Sequence, residues 1–329
     1  MRRFSRSTAG LIAGSIAVAL SCVAATASAQ NFAGKTIRII VPFSPGGTSD
    51  ILARALSGKV GESLGATVVV DNKPGANGVL GSDLVAKSAP DGLTLLLADV
   101  GGITSAPALG AKLPFDPQKD LAPVTMIAYS PHLAVVNASL PAKSLAELVT
   151  ASKAKAGSFS VATVGAGSAP HLAAALFAAR AGIEWVFVPY KGGSQALTDV
   201  VAGHAPVMFN GMLATMPMVK TGQLRLLAVS SDKRWPTLPD VPTVAESGYP
   251  GFVTGSWQGL LAAGATPPDV IAKLNAEFGK ALAIPEIRDR LLAQGAEPRA
   301  MSSHQFAEFL GAETAKWRAL AKSANIKLE

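Results

Sequence analysis

The chain has 329 residues, 49% hydrophobic and 16% charged, enough apolar material for a sizeable core and too much for a disordered polyelectrolyte. Its net charge of +7 is dispersed: Arg2, Arg3 and Arg6 stand together at the start, and no long basic run follows. With only 6% aromatic residues it lacks both the basic stripe and the stacking platforms of a nucleic-acid binder, so that class is excluded.

In chain order, the first element is a targeting segment. The three arginines precede an apolar stretch from Ala9 to Val23 and the small-residue triplet Ala27-Ser28-Ala29 before Gln30. This reads as a secretory signal peptide over residues 1–29, cleaved after Ala29, and implies export to the periplasm. A retained anchor fits less well, because Gly10, Gly14 and Ser21 interrupt a stretch shorter than the roughly 20 residues that span a bilayer. Cys22, the single cysteine, lies inside this leader as either an ordinary apolar position or an acylated residue behind a poor lipobox, Ala19-Leu20-Ser21. The mature chain then has no thiol, disulfide or cysteine metal ligand and depends on packing alone.

Beyond the leader, short β-branched runs alternate with helical patterns, which is the signature of an α/β fold. Ile37 to Val41 reads as a buried parallel strand, followed by a Pro/Gly loop and a helix whose apolar positions are Ile51, Leu52, Ala55, Leu56 and Val60. Ser49 or Asp50 is placed to cap that helix. Strands follow at Thr67 to Val70 and Leu93 to Ala98. A second series runs from Pro123: TMIAY, LAVVN, a helix led by Ser144, FSVATVG, a helix from Pro170 to Ala181, WVFVPY, a helix from Ser194 to Ala202, PVMF, and LRLLAVS ending at Ser230. Trp235 to Phe252 carries four prolines and reads as an extended surface connection. Two packing helices close the chain, one through Val270 to Leu282 and one behind the capping box Ser302-x-x-Gln305. Two series of similar size suggest two lobes, residues 30–129 with 231–329 and residues 130–230, each a mixed sheet flanked by helices. The two crossing segments would form a hinge beside an interlobe cleft.

Catalytic and metal motifs are missing. His132, His171, His204 and His304 have no helical partner histidine, so no zinc site is expected. Gly165-Ala166-Gly167-Ser168-Ala169-Pro170 is neither a nucleophile elbow nor a phosphate loop nor a dinucleotide fingerprint. No enzyme activity and no cofactor are expected. What recurs is a strand entering a glycine-rich loop that opens a helix: IRIIVPFSPGGTSDILARAL, FSVATVGAGSAPHLAAALF and WVFVPYKGGSQALTDVV. Glycine lets the backbone approach a ligand, and free N–H groups at a helix start favour an anion. Three such loops could converge on a carboxylate, although glycine also serves ordinary turns. Asp50 is either a cap or a cleft residue. Ser168 and Thr163 are hydroxyl donors unless Ser168 only caps its helix. His171 faces the ligand or packs, Tyr190 is placed to line the cleft beside a solvated Lys191, and Asn210 donates an amide or forms a turn.

The segments VPFSPGGTSDILAR, DNKPGANGVLGSDLVAKSAPDGLTLLLA, GAGSAPHLAAALF, VPYKGG, LRLLAVSSDKR and LPDVPTVAESGYPGF, in that order, resemble the Bug family, the tripartite tricarboxylate transporter substrate receptors, over essentially the whole mature chain. The resemblance implies a type II-like periplasmic binding protein, monomeric, with two α/β lobes closing on a small organic acid such as a dicarboxylate or aromatic carboxylate. It would deliver that acid to membrane permease subunits; the alternative is an accessory to a membrane histidine kinase. Carried over by motif, Phe43, Gly46, Gly47, Thr48 and Asp50 would bind from the first lobe, and Thr163, Gly165, Ser168, His171, Tyr190 and Asn210 from the second. Two positions depart from the family pattern. Asp99-Val100-Gly101-Gly102 lacks the histidine many relatives carry there, and Asn210 stands where aspartate is common, which favours an amine-free acid.

Overall fold

The computed structural model describes residues 31–323; the leader, its cleavage point and Cys22 lie outside them. Strand β1 (Thr36–Val41) is followed by α1 (Thr48–Leu64), β2 (Thr67–Asn72), α2 (Val79–Ala86) and β3 (Thr94–Asp99). β1 pairs in parallel with both β2 and β3, and parallel neighbours need a crossover, which α1 and α2 provide. The period of two along β1 sends Ile37, Ile39 and Val41 into a core with Leu52, Leu56, Leu274 and Phe278, while Ile40 meets Leu96 and Trp257 on the opposite face.

Strand β4 (Leu121–Asn137) joins TMIAY and LAVVN, which read as separate runs, into one strand of 17 residues. Up to Pro131 it pairs with β9 (Gly255–Ala263); from His132 it pairs with β7 (Val207–Gly211) and β8 (Leu224–Val229). Pro131 has no N–H to donate, so the ladder can change partners there. The second half adds α3 (Leu145–Ala154), β5 (Ser160–Thr163), α4 (Ala169–Ala181), β6 (Val186–Pro189), α5 (Gly193–Ala202) and α6 (Met212–Lys220). β5 runs parallel to β6 and β7, giving the order β2-β1-β3-β9-β4-β7-β5-β6. Leu133 and Val135 pack with Leu197 and Met208, whereas Ala134 and Val136 pack with Phe177 and Phe209. The result is a mixed α/β fold in two halves, both threaded by β4.

The chain closes with α7 (Pro268–Ala283), α8 (Pro285–Ala293), β10 (Glu297–Pro298) and α9 (Ser303–Ser323). The capping box before α9 forms in both directions: Ser302 N–H donates to Gln305 Oε1 (3.0 Å) and Gln305 N–H to Ser302 Oγ (3.2 Å). Ser144 likewise caps α3 by accepting from Glu147 N–H.

Three features differ from the sequence expectation. Gly47, not Ser49 or Asp50, is the N-cap of α1, with no side-chain cap bond. The segment Trp235 to Phe252 contains no helix, yet Val244 and Phe252 are completely buried in the second-half core, so its prolines fix an anchored path. Strand β9 has no counterpart in the expected elements. All nine of its residues are buried, and its glycines answer to packing: a Cβ on Gly259 would stand 2.1 Å from Phe306 Cζ, and one on Gly255 2.4 Å from Tyr129 Oη. A strand buried on both faces with small and polar residues shows no period-two signal.

Where the halves meet, three segments lie side by side. His132 N–H donates to Ser230 Oγ (2.9 Å), Ser230 N–H to His132 O (2.9 Å) and Thr254 N–H to Ser230 O (2.9 Å). The His132 ring is fully buried, with Nδ1 3.1 Å from Thr254 Oγ1 and Nε2 3.1 Å from Ser256 Oγ.

Candidate functional site

Four helices begin at one cavity between the halves. Its lining takes Gly47, Thr48 and Ser49 from the start of α1, Ser168 and Pro170 from α4, Gly193 from α5 and Gly211 from the residue before α6. Phe43, Asn77, Asp99, Gly101, Val164, Asn210, Ala214 and Ser256 complete it. No lysine, arginine or histidine contributes to it, so among the described residues positive potential comes from backbone N–H groups and helix dipoles, each equivalent to about half a charge.

Local sequence explains how each loop reaches the cavity. Gly46, at φ +79°, turns the chain after β1, and its N–H donates to Asp50 Oδ2 (2.9 Å). Asp50 is buried and also receives Arg54 Nε (3.0 and 3.1 Å). Burial pushes the Asp50 carboxyl up, but the Arg54, Gly46 and Asn72 contacts outweigh this and hold it below the usual range. Asn72 in turn donates to Phe43 O (3.1 Å), so Asp50, Arg54 and Asn72 brace the loop from behind. In the second loop Ser168 Oγ accepts from His171 N–H (3.3 Å), while Gly167 N–H donates to His171 Nδ1 (2.9 Å). His171 therefore fastens the loop, its ring edge-on to Phe187.

The structure thus sorts the expected residues. Phe43, Gly47, Thr48, Ser168 and Asn210 meet in the cavity; Gly165 and Tyr190 line an adjoining opening with Phe43 and Asn77. Gly46, Asp50, Thr163 and His171 line neither and support the loops, Thr163 by donating to Val188 O (3.3 Å). Tyr190 Oη donates to Asp199 Oδ2 (2.6 Å); burial and that contact push its phenol up to about 12. Asn210 Nδ2 donates to Thr215 Oγ1 (3.1 Å), which fixes the amide at the head of α6.

Sequence reasoning missed Asn77 and the role of Asp99. Asn77 lies at φ 52°, ψ 39°, the left-handed region, and its amide Nδ2 and Oδ1 are buried without a partner. A buried amide left unsatisfied costs about 1–3 kcal/mol, so both of its polar atoms call for a partner, a water or a bound group, from the cavity side. The only sequence signal was the cluster Gly75-Ala76-Asn77-Gly78. Asp99 ends β3 and faces the same space.

The facing loops touch. Ser194 Oγ donates to Pro45 O (2.7 Å) and Ser105 Oγ to Gly167 O (2.6 Å), and a Cβ on Gly192 would stand 2.8 Å from Ser44 N. These contacts join the two halves beside the cavity.

The sequence profile described as "tripartite tricarboxylate transporter family receptor" matches residues 52–326. Protein BugT of Bordetella pertussis is 37% identical over 319 residues, covering 95% of this chain and 97% of its own. The chain belongs to the tripartite tricarboxylate transporter receptor family. Among solved structures, an R. palustris protein with adipate superposes with a TM-score of 0.87 at 33% identity, covering 89% of this chain and 98% of that one. MatC of Rhodopseudomonas palustris with bound malate gives 0.83 at 31% identity, covering 87% and 99%. As a family receptor the protein is a periplasmic solute-binding protein and not an enzyme. Among the described residues no helix is long and apolar enough to cross a membrane, and no group of three His, Cys, Asp or Glu is placed to hold a metal ion.

Proposed function

We propose that this receptor captures a small organic carboxylate in the interlobe cavity and hands it to the membrane permease of a tripartite tricarboxylate-type transporter, acting as a monomer after removal of residues 1–29. One observation carries the reading: four helix N-termini converge on a cavity lined by no cationic side chain. Free N–H groups of such termini suit a carboxylate, and enclosure away from water strengthens each contact. The adipate and malate of the two R. palustris relatives support the same ligand class.

Capture works by population shift. A ligand that contacts both halves only when the loops meet stabilises the closed state by its differential affinity. The hinge in this proposal is β4 at Pro131–His132 together with the neighbouring Ser230 and Thr254, and residues 231–254 move with the second lobe because Val244 and Phe252 belong to its core. Thermal shift and titration calorimetry on refolded, ligand-stripped protein test the reading with mono-, di- and aromatic carboxylates against neutral sugars. At about a hundredfold excess over Kd a true ligand stabilises by about 2.7 kcal/mol. Stabilisation by a sugar and by no carboxylate would overturn the proposal.

A further inference from the structure

Within the cavity lining Asp99 is the only titratable side chain. Its Oδ1 accepts from Val100 N–H (2.6 Å) and its Oδ2 from Gln258 Nε2 (2.9 Å). No ion pair reaches it among the described residues, and burial pushes its carboxyl up to about 6. Each oxygen keeps a lone pair, and the half-buried residue is part of the cavity lining. The unpartnered Asn77 amide belongs to the same wall: a Cβ on Gly101, two residues beyond Asp99, would stand 2.4 Å from Asn77 Oδ1. One end of the cavity wall therefore offers an acceptor without a counter-cation beside an amide that can both donate and accept.

A ligand group that fits this wall donates to Asp99 and exchanges a hydrogen bond with Asn77. A hydroxyl or an ammonium group can do this, whereas a second carboxylate brought there would face a like charge. We infer that Asp99, with Asn77, makes the receptor select carboxylates that also carry a hydrogen-bond donor, a hydroxy acid or an amino acid, over the unsubstituted acid of the same length. The inference rests on the carboxylate reading above and specifies its second contact. A donor to a half-buried carboxylate distinguishes ligands by about tenfold.

The test is calorimetry with succinate, malate and aspartate, and with glutarate, 2-hydroxyglutarate and glutamate, on the wild type, Asp99→Asn and Asp99→Ser, each first shown by its melting curve to be folded. The expected result is a donor-bearing member bound at least about tenfold more tightly than its plain analogue, with that ratio falling toward one in both variants. Whether the wild type prefers malate or aspartate, and 2-hydroxyglutarate or glutamate, tells a hydroxyl donor from an ammonium. Equal binding of plain and substituted acids by the wild type, or a ratio unchanged in both variants, overturns the inference while leaving carboxylate capture intact. If no acid of either series binds the wild type but an aromatic or monocarboxylic acid does, the inference is equally overturned. Binding by no carboxylate at all overturns the parent reading together with it.

Discussion

Replacing Gly192 by alanine separates closure from folding. Gly192 has φ 175°, extended backbone that alanine adopts freely, so no conformational strain accompanies the change. The new Cβ would stand 2.8 Å from Ser44 Cβ, 2.8 Å from Ser44 N and 3.0 Å from Ser44 Oγ. Ordinary contact begins near 3.4 Å, and a backbone nitrogen cannot rotate away, so the two loops must part by about half an ångström or more. That parting strains the bonds from Ser194 Oγ to Pro45 O and from Ser44 Oγ to Lys191 O, which exist only when the halves meet. Overpacking of this kind costs about 1–3 kcal/mol. Because the cost falls on the closed state alone, affinity for the bound carboxylate should drop about 5- to 150-fold, with the melting temperature of ligand-free protein unchanged. Calorimetry and thermal melts of Gly192→Ala measure both. Gly279→Ala is the control: its Cβ would meet nothing within 4 Å on the surface of α7, so it should gain about 0.5–1 kcal/mol in stability at unaltered affinity. Wild-type affinity in Gly192→Ala would refute the reasoning, as would a loss of affinity no larger than the loss of stability.

Other outcomes follow from named contacts. His132 is buried between hydroxyls, and burial pushes its pKa down to about 3; the unfolded chain takes a proton near 6.5 while the folded chain refuses it, so this residue removes about 2 kcal/mol of stability between pH 7 and pH 5. Asp99 acts oppositely: its folded pKa, raised to about 6, lies above the unfolded value, so acidification to pH 5 restores about 1 kcal/mol. Denaturant melts of Asp99→Asn at the two pH values should therefore show a steeper acid loss than the wild type, and those of His132→Gln a shallower one; parallel curves would contradict both assignments. Asn77→Gly, which keeps the left-handed backbone but removes the amide, should weaken carboxylate binding about tenfold in calorimetry with stability altered by less than about 1 kcal/mol. Ser302→Ala should cost about 1 kcal/mol in thermal unfolding through the lost cap of α9 and leave ligand affinity untouched.

Much of the site was legible wherever a local pattern has one physical meaning. Glycines after an apolar strand and before a helix identified the loops at Gly47, Ser168 and Gly193, and those loops do meet. The orientation of individual polar side chains was not legible. Asp50 and His171 carry the right chemistry at the right place in the chain, yet each turns back to hold its own loop through Gly46 N–H or Gly167 N–H. Asn77 occupies a segment whose backbone twist no periodicity announces, and Asp99 ends a strand whose antiparallel neighbour, β9, begins more than 150 residues later.

By itself the amino-acid sequence determined the alternation of strands and helices, the caps at Ser144 and Ser302 and the anion-seeking loop type, because these depend on neighbours within one or two turns of chain. Tertiary structure alone decided that β4 would pass through both halves, that β9 would be buried along its whole length and that Asp99 and Asn77 would share a wall. Those outcomes depend on register between distant strands and on which face of a loop is left without a partner, and both are fixed only when the whole core packs.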